Sequence, residues 1–278
     1  MPELPEVETV RRGLAVNLVG KRIVACTVQV AKLLKPPVTD SEEFATKVTA
    51  SRIENVRRRG KHLIFGLDSG YAVMAHLMMR GHFVMSAHGD IPLDPYLGLS
   101  FELDDGSHCR YHDIWGWGEF RLLRDDPIEQ VRYIPALGRM GQEPLSATFN
   151  GESLHTSAGR RQTTIKAALL DQSIVAGIGN IYADESLHRA GIRPDRQVDD
   201  LTDSEWDVLG DSIAKVLEEA VAMGGTVSDE FVRPDGRPGA YVPLVYGRGG
   251  KACNQCGTPL VRVKIVGRGT VYCPSCQP

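Results

Sequence analysis

Removing the initiator methionine from Met1-Pro2-Glu3-Leu4-Pro5-Glu6-Val7-Glu8 would expose a secondary amine beside two carboxylic acids. An α-amino group titrates near neutrality, at roughly pH 7.7–8.0, so much of it is uncharged and nucleophilic without special tuning. Amines catalyse covalently through Schiff bases. A proline nitrogen can form only a cationic iminium, an electron sink that favours elimination beside the attacked carbon. The same residues also read as a plain helix start. Pro5 suits a first helical position, Glu6 and Glu8 favour the positive end, and Val7, Val10, Leu14 and Leu18 form a buried stripe.

A second chemical signal lies at the other end of the chain. Cys253-Asn254-Gln255-Cys256 and Cys273-Pro274-Ser275-Cys276 form two C-x-x-C knuckles sixteen residues apart, the spacing of four thiolates on tetrahedral zinc. Val261, Val263, Ile265 and Val271-Tyr272 flank a Gly267-Arg268-Gly269 turn, the pattern of a two-stranded hairpin. A redox dithiol is the competing reading of a single C-x-x-C, but two pairs without a βαβ setting argue for one structural Zn2+. Cys26 and Cys109 sit in apolar, strand-like surroundings and read as buried thiols.

The chain carries 32 Lys plus Arg against 35 Asp plus Glu, a net charge of -3, which by itself does not suggest a polyanionic partner. The charge is segregated, however. From Arg248 onward there are five basic and no acidic residues, while Asp and Glu crowd 195–219. Further basic clusters occur at Arg57-Arg58-Arg59-Lys61 and at Arg160-Arg161 with Lys166. One basic face opposed by an acidic one is the footprint of a protein that docks on phosphate.

These groups need a scaffold of two kinds. With 42% hydrophobic residues over 278, the chain can bury two cores. Strand-like segments at Arg22–Val30, His62–Leu67, Tyr71–Leu77, Leu99–Leu103 and Phe120–Leu123 predict a β-sandwich or barrel preceded by the N-terminal helix. A Pro-, Gly- and polar-rich stretch follows, and the second half reads as helices. One spans Ile165–Leu170 and another begins near Tyr182, joined through Gly177-Ile178-Gly179-Asn180, where a phosphate could rest on backbone N–H groups. A third opens with a Thr202/Glu205 capping box and a Leu201/Trp206 staple and stops at Gly224-Gly225. The fold class is therefore α+β and multidomain. The expected boundaries are 1–135 for the sandwich domain, 136–150 for a linker, 151–247 for the helical domain and 248–278 for the finger. No signal peptide or membrane-spanning apolar run is evident, so a cytoplasmic, nucleoid-associated monomer is expected.

Taken together, Met1-Pro-Glu-Leu-Pro-Glu-Val-Glu-Thr9, Gly177-Ile-Gly-Asn-Ile-Tyr-Ala-Asp-Glu-Ser-Leu187 and the four-cysteine finger resemble, in order and along nearly the whole chain, the bacterial formamidopyrimidine-DNA glycosylases. The resemblance implies a β-sandwich, a helix-two-turn-helix domain with a zinc finger, and base excision repair of oxidised purines (formamidopyrimidines, 8-oxoguanine) in double-stranded damaged DNA. It implies Pro2 as the Schiff-base nucleophile and Glu3 as proton donor, with Glu6 supporting the amine. Lys61 matches the lysine of β-elimination, and Arg268 the arginine of δ-elimination. Met79 and Trp117 match side chains inserted into the duplex, and His76, Arg161, Lys166, Asn180 and Tyr246 match phosphate contacts.

Departures from the family pattern bear on specificity. Where the family usually reads Asp-Pro-Arg-Arg-Phe-Gly, this chain has Asp113-Ile114-Trp115-Gly116-Trp117-Gly118, so Trp115 stands where a guanidinium would meet the orphaned base. An indole stacks but offers one N–H and no charge. Tyr96 aligns with a phosphate-binding histidine, and Asp229 replaces a lysine in the loop over the flipped purine. Two alternatives follow: the same fold with shifted lesion range, including oxidised pyrimidines as in endonuclease VIII, or a non-catalytic damaged-DNA binder. Leu4, where the endonuclease VIII branch has Gly, counts against that branch, and the joint presence of Pro2, Glu3, Glu6 and Lys61 favours the enzyme.

Overall fold

The computed structural model describes residues 1–87, 94–124, 135–159, 161–227 and 231–278. The chain divides into two compact units, one of residues 1–138 and 224–240, the other of 139–223 and 241–278. The division does not follow chain order. Residues 224–240, grouped by sequence with the helical domain, pack with the N-terminal unit, and Phe231 joins its core.

The first unit opens with α1 (Leu4–Leu18), whose stripe of Val7, Val10, Leu14 and Leu18 is completely buried, as the 3.6-residue period requires. Two four-stranded antiparallel sheets follow, β1 (Ile23–Val28) preceding the short helix α2 (Ser41–Val48). One sheet runs in the order β1, β6 (Leu97–Leu103), β7 (His108–His112), β5 (His82–Ser86). The other runs β2 (Ile53–Arg59), β3 (His62–Leu67), β4 (Tyr71–His76), β8 (Glu119–Arg124). Their inner faces meet in an aromatic core of Phe65, Phe83, Phe101, Tyr111 and Phe120, with neighbouring rings at 4.8–6.1 Å in tilted or edge arrangements. The four-residue helix α3 (Pro135–Gly138) ends the segment.

The strands that sequence periodicity misses are informative. β2 carries Arg57-Arg58-Arg59, which breaks its apolar alternation, and it is held by pairing with β3. β7 reads His-Cys-Arg-Tyr-His: Cys109 and Tyr111 are buried and alternate with the half-buried His108 and Arg110, but the alternation is too short and too polar to stand out, and pairing with β5 and β6 completes the strand.

The second unit holds α4 (Gly151–Ala158), α5 (Ile165–Leu170), α6 (Asn180–Ala190) and α7 (Asp203–Ala222), then the hairpin β9 (Val261–Ile265) and β10 (Arg268–Tyr272). The expected capping box of α7 is present, with Glu205 N donating to Thr202 Oγ1 at 3.3 Å and Thr202 N to the Glu205 carboxylate at 2.8 Å. Helices α4 and α7 cross at a pair of glycines. A Cβ on Gly210 would lie 2.5 Å from Gly151 N, and one on Gly151 2.4 Å from the Asp207 Cα. Backbone atoms on both sides leave nothing that can swing away. Gly210→Ala is therefore expected to destabilise the second unit by about 1–3 kcal/mol, the usual range for overpacking, read as a lower urea midpoint at unchanged m-value.

Candidate functional site

Pro2, Glu3 and Glu6 are all buried at the start of α1. Glu6 holds this end in place. One of its oxygens accepts the Glu3 N–H at 2.9 Å, and the other accepts the N–H of Thr226 at 2.8 Å. A carboxylate with both oxygens occupied by backbone donors is a rigid acceptor, which orients the residue immediately before Glu3. Met1 is 41% exposed, so the bond whose cleavage frees the Pro2 amine is near the surface.

Glu8, one turn on, ties this helix to the hairpin that carries Lys61. It pairs with Arg11 and Arg12 on its own helix at 2.8 Å and with Arg58 of β2 at 3.2 Å. Arg58 in turn donates to the carbonyl of Gly60 at 2.9 Å. Gly60, at φ 53°, and Lys61 are the two central residues of the β2–β3 turn, since Arg59 pairs with His62. The chain Glu8–Arg58–Gly60 thus fixes the Lys61 backbone relative to α1. Burial opposes ionisation of Glu8, but its hydrogen bonds with Arg11 and Arg12 and the charges of Arg11 and Arg58 outweigh it and hold the carboxyl at about 2.

Beside this turn, His62 and His76 face each other across β3 and β4 with rings 4.6 Å apart. Burial, with the mutual charge of the pair and that of Lys61, pulls His62 down to about 3; burial and Lys61 pull His76 to about 4. His76 Nδ1 accepts the Met78 N–H at 3.1 Å, which leaves the proton on Nε2. It can donate to a phosphate, but as a neutral group.

Two loops at one end of the sandwich carry the expected wedges. Tyr111 and Asp113 join them. The Tyr111 hydroxyl lies 3.4 Å from the Leu77 carbonyl and 3.3 Å from Asp113 Oδ2, while Asp113 accepts the N–H groups of Trp115 at 3.0 Å and Gly118 at 2.7 Å. Gly81 and Gly118 both abut that hydroxyl so closely that a Cβ on either would stand 1.9 Å from it. Asp113 N also donates to the Tyr96 carbonyl at 2.9 Å, drawing Tyr96 to the same end. The rings of Trp115 and Trp117 sit 4.7 Å apart and are partly exposed, and the Arg80 guanidinium lies 5.5 Å from the Trp115 ring centre. Met79, next to Arg80, is half-buried. Tyr111, Asp113 and Arg80 were not singled out in the sequence. Only the turn-forming role of an Asp two residues before Trp115 is a local signal for one of them.

In the second unit, Asn180, Tyr246, Gly247, Gly249, Arg262 and Gly269 line a cavity of 370 Å³ at the start of α6. Glu185 holds the segment that carries Tyr246: its carboxylate accepts the N–H groups of Leu244, Val245 and Tyr246 at 2.7–2.9 Å and the Tyr241 hydroxyl at 3.2 Å. Arg161 is exposed, 3.6 Å from Asp171, and Arg268 is exposed at the start of β10. Lys166 differs from the expectation. Its ammonium is fully buried, 2.6 Å from Asp184 Oδ1 and 2.7 Å from Thr270 Oγ1, so it is an internal ion pair and presents no charge to a phosphate. Burial raises Asp184 to about 6, against the pull of Lys166 and the Val271 N–H. Asp229 and Arg160 lie outside the described residues.

The sulfurs of Cys253, Cys256, Cys273 and Cys276 lie within 4.8 Å of one another, with pairs at 3.4 and 4.0 Å. Tetrahedral Zn–S bonds of 2.3 Å place sulfurs about 3.8 Å apart, so the donor set fits zinc and closes its coordination. His188 Nε2 lies 3.7 Å from the Cys253 sulfur, and Gln277 links the Cys273 N–H to the Ile192 carbonyl, seating the finger on α6. Burial pushes the Cys26 and Cys109 thiols up to about 12, which leaves them unreactive, and both are free thiols.

Comparison with known proteins matches residues 1–120 to the formamidopyrimidine-DNA glycosylase N-terminal domain, 140–232 to the H2TH domain of the same enzymes, and 250–278 to a zinc finger found in FPG and IleRS. The chain is 39% identical over 279 residues to the formamidopyrimidine-DNA glycosylase of Desulfitobacterium hafniense and 40% identical to that of Cytobacillus firmus, with all of each chain covered. Among solved structures, the MutM (Fpg) protein of Thermus thermophilus superposes with a TM-score of 0.86 at 37% identity, covering 99% of this chain and 98% of that one. The Lactococcus lactis Fpg, in complex with DNA containing an abasic site, gives 0.87 at 32% identity, covering 99% of both.

Glu8 dictates an acid sensitivity. Its folded-state value lies below the ordinary 4.5, so the stability it contributes is present above about pH 4.5 and is lost as pH falls toward 2. Between these limits Glu8→Gln is expected to flatten the pH dependence of the urea midpoint while lowering the midpoint at pH 7. An unchanged profile would contradict the role given to this ion-pair cluster.

Proposed function

The chain belongs to the formamidopyrimidine-DNA glycosylase family, and we propose that the Pro2 amine is the nucleophile of its base-excision chemistry. The protein is a DNA glycosylase of base excision repair, in a family that couples glycosylase to abasic-site lyase activity. One structural zinc ion is held by Cys253, Cys256, Cys273 and Cys276. The observation that carries the nucleophile assignment is the Glu6 carboxylate clamped between Glu3 N and Thr226 N, directly behind Pro2.

In this reading the substrate is an oxidised purine, formamidopyrimidine or 8-oxoguanine, in duplex DNA. The free Pro2 nitrogen attacks the sugar C1′, the bond to the base breaks with its electron pair leaving on the base, and Glu3 supplies the proton for ring opening. Glu6 holds the amine and relays protons. The resulting iminium acidifies the C2′ hydrogen. Lys61 serves β-elimination of the 3′ phosphate, and Arg268 serves the following δ-elimination of the 5′ phosphate. Arg161, Asn180, Tyr246, His76 and Tyr96 contact the backbone, which fixes register without reading sequence. The protein is read as a cytoplasmic, nucleoid-associated monomer, and among the described residues no helix is long and apolar enough to cross a membrane.

Flipping a base out of a duplex requires the void to be filled. Met79, Trp115 and Trp117 are the side chains for this, on loops locked together by Tyr111 and Asp113. Every base has a π-face, so an indole stack tolerates any partner. A bidentate guanidinium contact, by contrast, discriminates by about 1–3 kcal/mol.

Sodium borohydride is expected to trap a covalent complex on duplexes bearing 8-oxoguanine or an abasic site. The trapped species should be absent from protein that retains Met1, because the Pro2 nitrogen is then acylated and cannot attack. DNA binding without trapping by Met1-free protein on any lesion would overturn the assignment. Excision rates opposite the four bases are expected to lie within about tenfold of one another, or 1.4 kcal/mol, and Trp115→Arg should widen that spread. A strong cytosine preference in the parent protein would refute the stacking account.

A further inference from the structure

Lys166 lies on α5 and Asp184 on α6, yet both reach the strand that begins at Arg268. Lys166 Nζ approaches Asp184 Oδ1 at 2.6 Å, Thr270 Oγ1 at 2.7 Å and the Gly269 carbonyl at 3.5 Å. The second Asp184 oxygen accepts the Val271 N–H at 3.0 Å. Lys166 and Thr270 are fully buried and Asp184 is 1% exposed. The three residues after Arg268 are therefore each gripped by one buried, mutually neutralising pair. We propose that the Lys166–Asp184 pair is a positioning device for Arg268.

Zinc cannot do this alone. A two-stranded hairpin has little stability of its own, and the zinc knuckles hold only its far end. Arg268 lies five positions before Cys273, about 16 Å at some 3.3 Å per extended residue. Near the turn, Val266 at φ 47° and Gly267 at φ 73° reverse the chain with Val266 exposed, and the pair below supplies the lateral hold. An arginine that has to meet one phosphate or one proton at a particular stage needs its Cα fixed, because its own side chain is long and exposed.

The proposal rests on Arg268 acting in δ-elimination, and the test separates the two ideas. Thr270→Val keeps the buried volume but removes the hydroxyl that Lys166 contacts; Thr270→Ser retains it; Lys166→Met removes the charge. Each variant, with the parent and Arg268→Ala, is incubated with an abasic-site duplex. The ratio of δ- to β-elimination products, borohydride trapping and bound zinc are measured together. In Thr270→Val and Lys166→Met the δ:β ratio is expected to fall at least about fivefold, with trapping and zinc content within about twofold of the parent, and Thr270→Ser should restore the ratio. A parental ratio in Thr270→Val and Lys166→Met overturns the proposal. So does a parallel loss of trapping, δ product and zinc, which would mark a merely structural pair. If Arg268→Ala itself keeps the parental ratio, the failure lies with the role given to Arg268.

Discussion

The Glu6 carboxylate is the constraint that fixes the N-terminal end of α1. It is buried, and a buried carboxylate persists only where donors replace its lost hydration. Here they come from Glu3, three residues away, and from Thr226, 220 residues along the chain. The backbone next to Pro2 is therefore held through Glu6 by a segment far along the chain. It explains why residues 224–240 pack with the N-terminal unit although the helices before them do not. Glycine is required there: Gly225 takes φ 93°, and a Cβ on it would stand 3.2 Å from the Glu6 side chain.

The same device recurs wherever a functional segment lacks regular structure. Glu185 gathers three consecutive N–H groups around Tyr246, Asp113 gathers those of Trp115 and Gly118, and Asp184 holds Val271. A buried acceptor with several partners is expensive to leave half-satisfied, so it tolerates few alternative arrangements. That cost converts loops and a short hairpin into rigid mounts. Rigidity suits groups that must meet a phosphate or a displaced base without reorganising.

At the wedge, the chain combines stacking surface with charge in an unusual proportion. Trp115 and Trp117 offer two indole faces and two N–H donors, the Arg80 guanidinium lies 5.5 Å from the Trp115 ring centre, and the Lys32 ammonium donates to the Trp115 carbonyl at 3.2 Å. This is a property of the two loops as a pair, because Tyr111 Oη spans both.

Much of the architecture was legible in the sequence. The apolar stripe of α1, the Thr202/Glu205 box and the four-cysteine spacing are local or periodic, and each appears as read. The charged strand β2 was not legible, since its pairing with β3 rather than a side-chain pattern marks it, and the two-residue alternation of Cys109 and Tyr111 in β7 was too short to read. Lys166 shows the limit most clearly. A lysine in a basic cluster reads as a phosphate contact, and only folding brings Asp184 and Thr270 around it. The sequence by itself determined the candidate groups: a proline beside two acids, four thiols at metal-binding spacing and two tryptophans, because chemical identity and short spacing are written in the chain. The tertiary structure alone decided which charges are buried and paired, and so which side chains hold the site and which can work in it. Burial and pairing depend on contacts between residues up to 220 positions apart, which no local pattern encodes.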